Sequence, residues 1–119
     1  MTGMTAHPAE APEVPVAPAA TVILLRDAGA ALETLLLRRN AALAFHGGAW
    51  VFPGGRIEAE DYPPASQDTT AAARRAAVRE AYEEAGLVVQ PEALVWLSHW
   101  TTPLGRPRRF ATWFFVAAA

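Results

Sequence analysis

The chain has 119 residues, room for one domain and not for two. With 52% hydrophobic and 18% charged residues it has a globular composition, not a disordered one. A formal charge of −2 and a pI near 5.9 argue against a nucleic-acid partner or a polybasic membrane anchor. The absence of cysteine excludes disulfides, zinc–thiolate centres and thiol nucleophiles. No apolar stretch approaches the roughly 18 residues that span a bilayer. A soluble, cytoplasmic single-domain protein is expected. The 27 alanines, and ten arginines against no lysine, point to the coding bias of a GC-rich genome and not to a particular partner.

Residues 1–19, with four prolines and few large apolar groups, read as a disordered Pro/Ala-rich tail. They lack the positive start and continuous apolar core of a signal peptide. Order is expected from Ala20. Thr21–Leu25 is β-rich, Asp27-Ala-Gly-Ala is a turn signal, and Leu32–Arg39 reads as the return strand of a hairpin. Asn40–Gly48 is a loop carrying His46. Trp50–Phe52 is a short strand that stops at Pro53-Gly54-Gly55, and residues 60–68 form a polar, proline-bearing surface loop.

A helix is predicted from a Thr69 or Thr70 cap to Ala85, with Gly86 as its stop. Ala73, Ala77, Ala81 and Ala85 recur at i+4 and predict a narrow seam that lies close to a sheet. Two strands follow, near Leu94–Thr101 and Phe110–Ala117, joined by the turn Pro103-Leu-Gly-Arg-Pro. Strands, one helix, then strands indicate an α/β (α+β) fold with a mixed sheet. One helix covers one sheet face, so the apolar final strand is left bare. This predicts either a homodimer through the exposed sheet or, as the preferred reading, a domain truncated at its C-terminus, with 20–119 as its N-terminal part.

The chemistry concentrates in Arg79-Glu-Ala-Tyr-Glu-Glu-Ala-Gly-Leu87. At 3.6 residues per turn Glu80, Glu83 and Glu84 fall within about 100° of one face. Three like charges at that spacing repel, and a hard divalent cation, Mg²⁺ or Mn²⁺, relieves the repulsion. Arg79, four residues before Glu83, can hold it through a charge-assisted bond. The bland alternative for such a pattern is a solvated acidic face.

This segment resembles the Nudix hydrolase signature G-x5-E-x7-R-E-U-x-E-E-x-G-U, where U is a bulky aliphatic residue. Arg79, Glu80, Glu83, Glu84, Gly86 and Leu87 match its latter half, with Ala81 at the first aliphatic position. Pro53-Gly54-Gly55 matches its entrance. Gly55 and Arg79 are 24 positions apart where the family has 14, so about ten residues are inserted. Asp61 is the one candidate to replace the mid-motif glutamate, which in the family is mainly structural, and loop 61–70 is expected to bulge out. The resemblance implies an α/β/α sandwich and hydrolysis of a diphosphate linked to another group. By the same resemblance the Gly54 carbonyl and the Glu80, Glu83 and Glu84 carboxylates serve as metal ligands. Members of the trio bind Mg²⁺ or activate water, and with Arg79 they are the implied catalytic set.

Upstream, Leu35–Arg39 and Phe45–Gly55 resemble the coenzyme A diphosphatase branch. Arg39, Gly48 and Phe52–Gly55 match in register; Leu37, Asn40 and Ala44 depart from it. A closer likeness is to the peroxisomal-type branch with a long insertion, which implies CoA or acyl-CoA as substrate. Alternatives are an ADP-ribose or nucleotide-sugar diphosphatase and, from a different class, a non-catalytic fragment or binding module. Arg39 is either a contact for a substrate phosphate, the 3′-phosphate of CoA included, or a solvated strand-end charge. His46 is read as a loop histidine, Trp50 and Phe52 as core, and Trp96, Trp100 and Trp113 as sheet packing. Arg106, Arg108 and Arg109 are a basic turn cluster that could steer a polyphosphate, with a solvated turn as the default.

Overall fold

The structure is a computed structural model that describes residues 14–40 and 48–119. Its longest strand, β1 (Val16–Asp27), turns at Asp27, whose Oδ1 accepts from the Gly29 amide at 3.1 Å, and returns as β2 (Leu32–Thr34). The expected hairpin is there, but the return strand is short. After Leu35, whose amide donates to the Leu24 carbonyl, the chain leaves β1 and pairs as β3 (Leu37–Arg38) with β4 (Trp50–Val51) in a separate ribbon. The reason is competition for one edge. β5 (Gly54–Arg56) pairs with Ala19–Thr21, and the Val22 amide is already given to the Pro53 carbonyl. A longer β2 would collide with it.

The return strand is followed, after the ribbon and β5, by a 3-10 turn at Ala59–Asp61 and helix α1 (Thr69–Ala85). A second 3-10 turn, Pro91–Ala93, leads into β6 (Val95–Thr101), and β7 (Arg109–Ala118) closes the sheet in the order β2-β1-β7-β6. β7 runs parallel to β1 over ten residue pairs and antiparallel to β6, so the sheet is mixed. The first strand begins at Val16, which corrects the expected start at Ala20: its first four residues belong to the sheet and not to a tail. Residues 1–13 and 41–47, including His46 and Ala44, lie outside the described residues.

Alternation on β1 turns Ala20, Val22 and Leu24 toward α1, and the parallel register brings Phe115 and Ala117 beside them. From the helix come Ala72, Ala73, Ala76, Ala77 and Ala81, all with no solvent exposure. The buried stripe is therefore wider than an i+4 seam, and Ala85 is only half-buried. Five methyl-sized side chains leave room for little else between helix and sheet. The N-cap is Asp68, not a threonine: its Oδ1 accepts from the Ala71 amide at 3.2 Å. At the other end Gly86 adopts φ +69°, the left-handed conformation that closes helices.

On the opposite face Thr112, Phe114 and Val116 stay partly exposed among the described residues, as do most side chains of β6. Trp96 and Trp100 are 52% and 68% exposed, so the expectation that they pack within the sheet is corrected: they project from an edge strand. Trp50, expected in the core, is 62% exposed on the two-stranded ribbon, with the Arg38 guanidinium 5.9 Å from its ring. Trp113 does pack on the core, edge-on to His99. Because the helix–sheet gap is alanine-sized, Ala76→Leu or Ala77→Leu should destabilise the fold by about 1–3 kcal/mol. Thermal unfolding followed by circular dichroism measures it, with an exposed Ala93→Leu change as the reference.

Candidate active site

The entrance strand sets the site. Ladder bonds run from the Val22 amide to Pro53 and from the Ile57 amide to Pro18, two residues either side of the Ala20–Gly55 pair. Antiparallel strands alternate hydrogen-bonded and outward-facing positions. Gly54 is therefore an outward-facing position, with its amide and carbonyl turned away from β1. The Gly54 amide donates to Glu84 Oε1 at 3.0 Å. At Gly55 the requirement for glycine is steric, since a Cβ would run into the Glu80 carboxylate. The Gly-Gly pair thus lies directly against the last turns of α1.

Arg79 organises those turns. Its Nε and Nη2 donate to Asp61 Oδ1 and Oδ2 at 3.1 and 2.8 Å, and Nη2 also reaches the Arg56 carbonyl at 3.1 Å. Its Nη1 serves Glu80 Oε2 at 3.1 Å and Glu83 Oε1 at 3.2 Å. The contact to Glu83 is the one expected from spacing. The contacts to Asp61 and Arg56 come from elsewhere in the chain, and only the motif register hinted at the first. Asp61 is buried, and its Oδ2 also accepts from the Glu58 amide at 2.8 Å. The inserted segment therefore does not begin as a free bulge; Asp61 is docked, and the chain departs after it.

Electrostatics follow from these contacts. Burial alone would raise the Asp61 carboxyl, but the Arg79 bonds, the Glu58 amide and the Arg79 charge outweigh it, and Asp61 sits below its ordinary range. The bond to Asp61 is the largest influence holding Arg79 protonated. Glu80 moves the other way: burial first, then the neighbouring charge of Glu84, push its carboxyl up against the pull of Arg79.

Glu80, Glu83 and Glu84 share the C-terminal turns, but their oxygens are engaged by different donors. Among the described residues no three His, Cys, Asp or Glu side chains converge as a ready-made cation cage. The donor chemistry still fits a hard divalent ion. It consists of carboxylate oxygens, one of them in Glu80 disfavoured as an anion by its surroundings, beside an outward-turned glycine carbonyl. Arg39 stands apart. Its backbone pairs with Gly48 and Ala49, its Nε is buried with no partner among the described residues, and no described contact links it to the glutamates.

A carboxylate-bearing helix end, organised by one arginine and laid against a Gly-Gly strand on a mixed sheet, defines a class of metal-assisted hydrolytic site. The NUDIX domain model matches residues 15–119, and the chain belongs to that family. It is 41% identical over 78 residues to the peroxisomal coenzyme A diphosphatase ndx-8 of Caenorhabditis elegans, a match covering 65% of this chain and 30% of that protein. The chain thus spans about a third of that relative's length. Among solved structures it is similar to a NUDIX hydrolase from Alicyclobacillus acidocaldarius, with TM-score 0.75, 22% identity, and coverage of 88% of this chain and 70% of that one. It is also similar to a MutT/nudix family protein from Enterococcus faecalis, with TM-score 0.70, 23% identity, and coverage of 92% and 39%. These two likenesses establish the fold.

Asp61→Asn should cost about 2–4 kcal/mol of stability, because it leaves Arg79 partly buried without its strongest partner. The pH sign is fixed by the lowered carboxyl. The ionised Asp61 contributes fully above its unfolded value of 3.8 and is lost as pH falls through the lower folded value. Urea melts at pH 7 and near pH 3 should show the wild-type advantage over Asp61→Asn shrinking on acidification; a constant difference would reject the ion pair as its source.

Proposed function

We propose that the protein is a divalent-metal-dependent Nudix diphosphatase acting on CoA or an acyl-CoA, with Mg²⁺ or Mn²⁺ as the ion. The observation that carries the reading is Arg79 holding Glu80 and Glu83 in place while Glu84 rests on the Gly54 amide. Glu80, Glu83, Glu84 and the Gly54 carbonyl would hold the ion, which when bound neutralises charge on the phosphate oxygens of the substrate. The chain's own share is positional and acid–base. Arg79 fixes the rotamers of two carboxylates, Gly55 lets Glu80 approach the strand, and a glutamate not held by the ion takes the proton of the attacking water. The 41% identity to a coenzyme A diphosphatase supports the substrate class. Arg39, whose buried Nε has no acceptor among the described residues, is proposed to meet a substrate phosphate.

A cytoplasmic location is proposed from the sequence alone, and a homodimer through the exposed sheet is the proposed assembly. Millimolar Mg²⁺ or Mn²⁺ should raise the melting temperature, as binding to the folded state alone requires; a folded protein that does not respond would refute the metal site. Glu83→Gln or Glu84→Gln should lower the rate of CoA cleavage by at least 100-fold while leaving the circular dichroism spectrum unchanged. Liquid chromatography of the products reads it. Cleavage of ADP-ribose or a nucleoside triphosphate with CoA untouched would move the substrate and keep the chemistry.

A further inference from the structure

A second concave surface lies away from the glutamates. At the β6–β7 turn, on the sheet face opposite α1, a cleft of about 690 Å³ is lined by Trp100, Phe110, Thr112, Phe114, Arg106 and Arg108 among others, and no acidic residue lines it. Its size falls in the range of small-ligand sites. Its face is fixed by alternation: Phe115 is fully buried against the helix, so Phe114 and Thr112 turn to the other side, where Trp100 pairs with Thr112. Arg106 makes no ion pair with a described residue. Aromatic walls with a cationic rim fit a flat ring carrying a phosphate.

The cleft is within reach of the glutamates. Thr21 on β1 pairs with Gly54 on one side and with Phe114 on the other. With strands about 4.8 Å apart, Gly54 and Phe114 are two spacings, about 10 Å, from each other. At Gly54 a Cβ would meet Thr21 Oγ1, so that position opens onto the cleft's side of the sheet. A ribose and a diphosphate bridge such a span.

We propose that this cleft binds the nucleotide half of the substrate, with the purine against Trp100 and Phe114 and the ribose phosphate on Arg106, while the diphosphate lies at Gly54 and the glutamates. This rests on the diphosphatase reading and orients the substrate within it. A pantetheine or acyl group, neutral and without a ring, gains nothing from the arginines. Arg39 belongs to the β3–β4 ribbon, and no described contact connects it to the cleft.

Isothermal titration in EDTA separates this cleft from metal-dependent binding. The probes are adenosine 3′,5′-bisphosphate, AMP, adenosine and pantetheine. The bisphosphate should bind at least tenfold more tightly than adenosine, and pantetheine least. Arg106→Ala should remove the preference for the bisphosphate over AMP, and Trp100→Ala should weaken all three adenosine compounds. Both side chains are exposed, so melting curves should stay unchanged. Absence of metal-free binding while CoA is still cleaved would overturn the cleft and keep the diphosphatase. The cleft also falls if pantetheine binds best, or if Arg39→Ala and not Arg106→Ala removes the preference. Metal-free binding by a protein that never cleaves a diphosphate would instead overturn the diphosphatase reading and leave a nucleotide site.

Discussion

The bond pair between Arg79 and Asp61 is the constraint from which the rest of the site takes its shape. One guanidinium spans the end of β5 through the Arg56 carbonyl, the 3-10 turn through Asp61, and its own helix through Glu80 and Glu83. A lysine could not do this, because three directions of donation require the planar fork of arginine. The arrangement also accounts for the opposite behaviour of two acids a few ångströms apart. Asp61 faces the guanidinium along two bonds and is held ionised, whereas Glu80 shares Arg79 with others and feels Glu84 beside it.

The alanine interface serves the same end. A helix whose buried face is almost all methyl groups comes close to the strands, and that closeness lets Glu80 touch the backbone of Gly55 and Glu84 reach the Gly54 amide. With leucine-sized contacts the carboxylates would stand further off, and the glycine requirement at position 55 would vanish. Small residues in the core and glycines in the strand are thus two halves of one geometrical condition.

Much of this was legible in the sequence because it is local. The helix and its Gly86 stop, the hairpin turn at Asp27 and the facing of Glu80, Glu83 and Glu84 all depend on neighbours within a few residues. What the sequence hid is set by competition at a distance. The split of Leu32–Arg39 into two short strands arises because β5 occupies the same edge of β1, and no periodicity in residues 32–39 records that. The exposure of Trp50, Trp96 and Trp100 has the same origin: composition says such rings prefer burial, but only topology reveals an edge strand and a detached ribbon. The Asp68 cap was displaced by one residue because three consecutive residues can all cap. Asp61 was identifiable by counting from Gly55, while its contact with Arg79 needed the fold.

The inserted residues show how a long-range pair can survive a change in chain length. Asp61 and Arg79 are 18 positions apart, where the uninterrupted motif would separate them by eight. Closing the longer loop costs more entropy, but the cost grows only with the logarithm of length, so the added ten residues are worth about 0.7 kcal/mol. Breaking a partly buried bidentate pair costs several times that. Proline restricts the free chain as well: Pro63 and Pro64 open the insertion, and Tyr62 and Asp68 tie its ends to Thr69 and the helix amides, so fewer residues need ordering than the count suggests. The insertion can vary in length at the surface while the acid at its start and the arginine beyond its end remain in register, because the fold fixes the two endpoints and charges little for the chain between them.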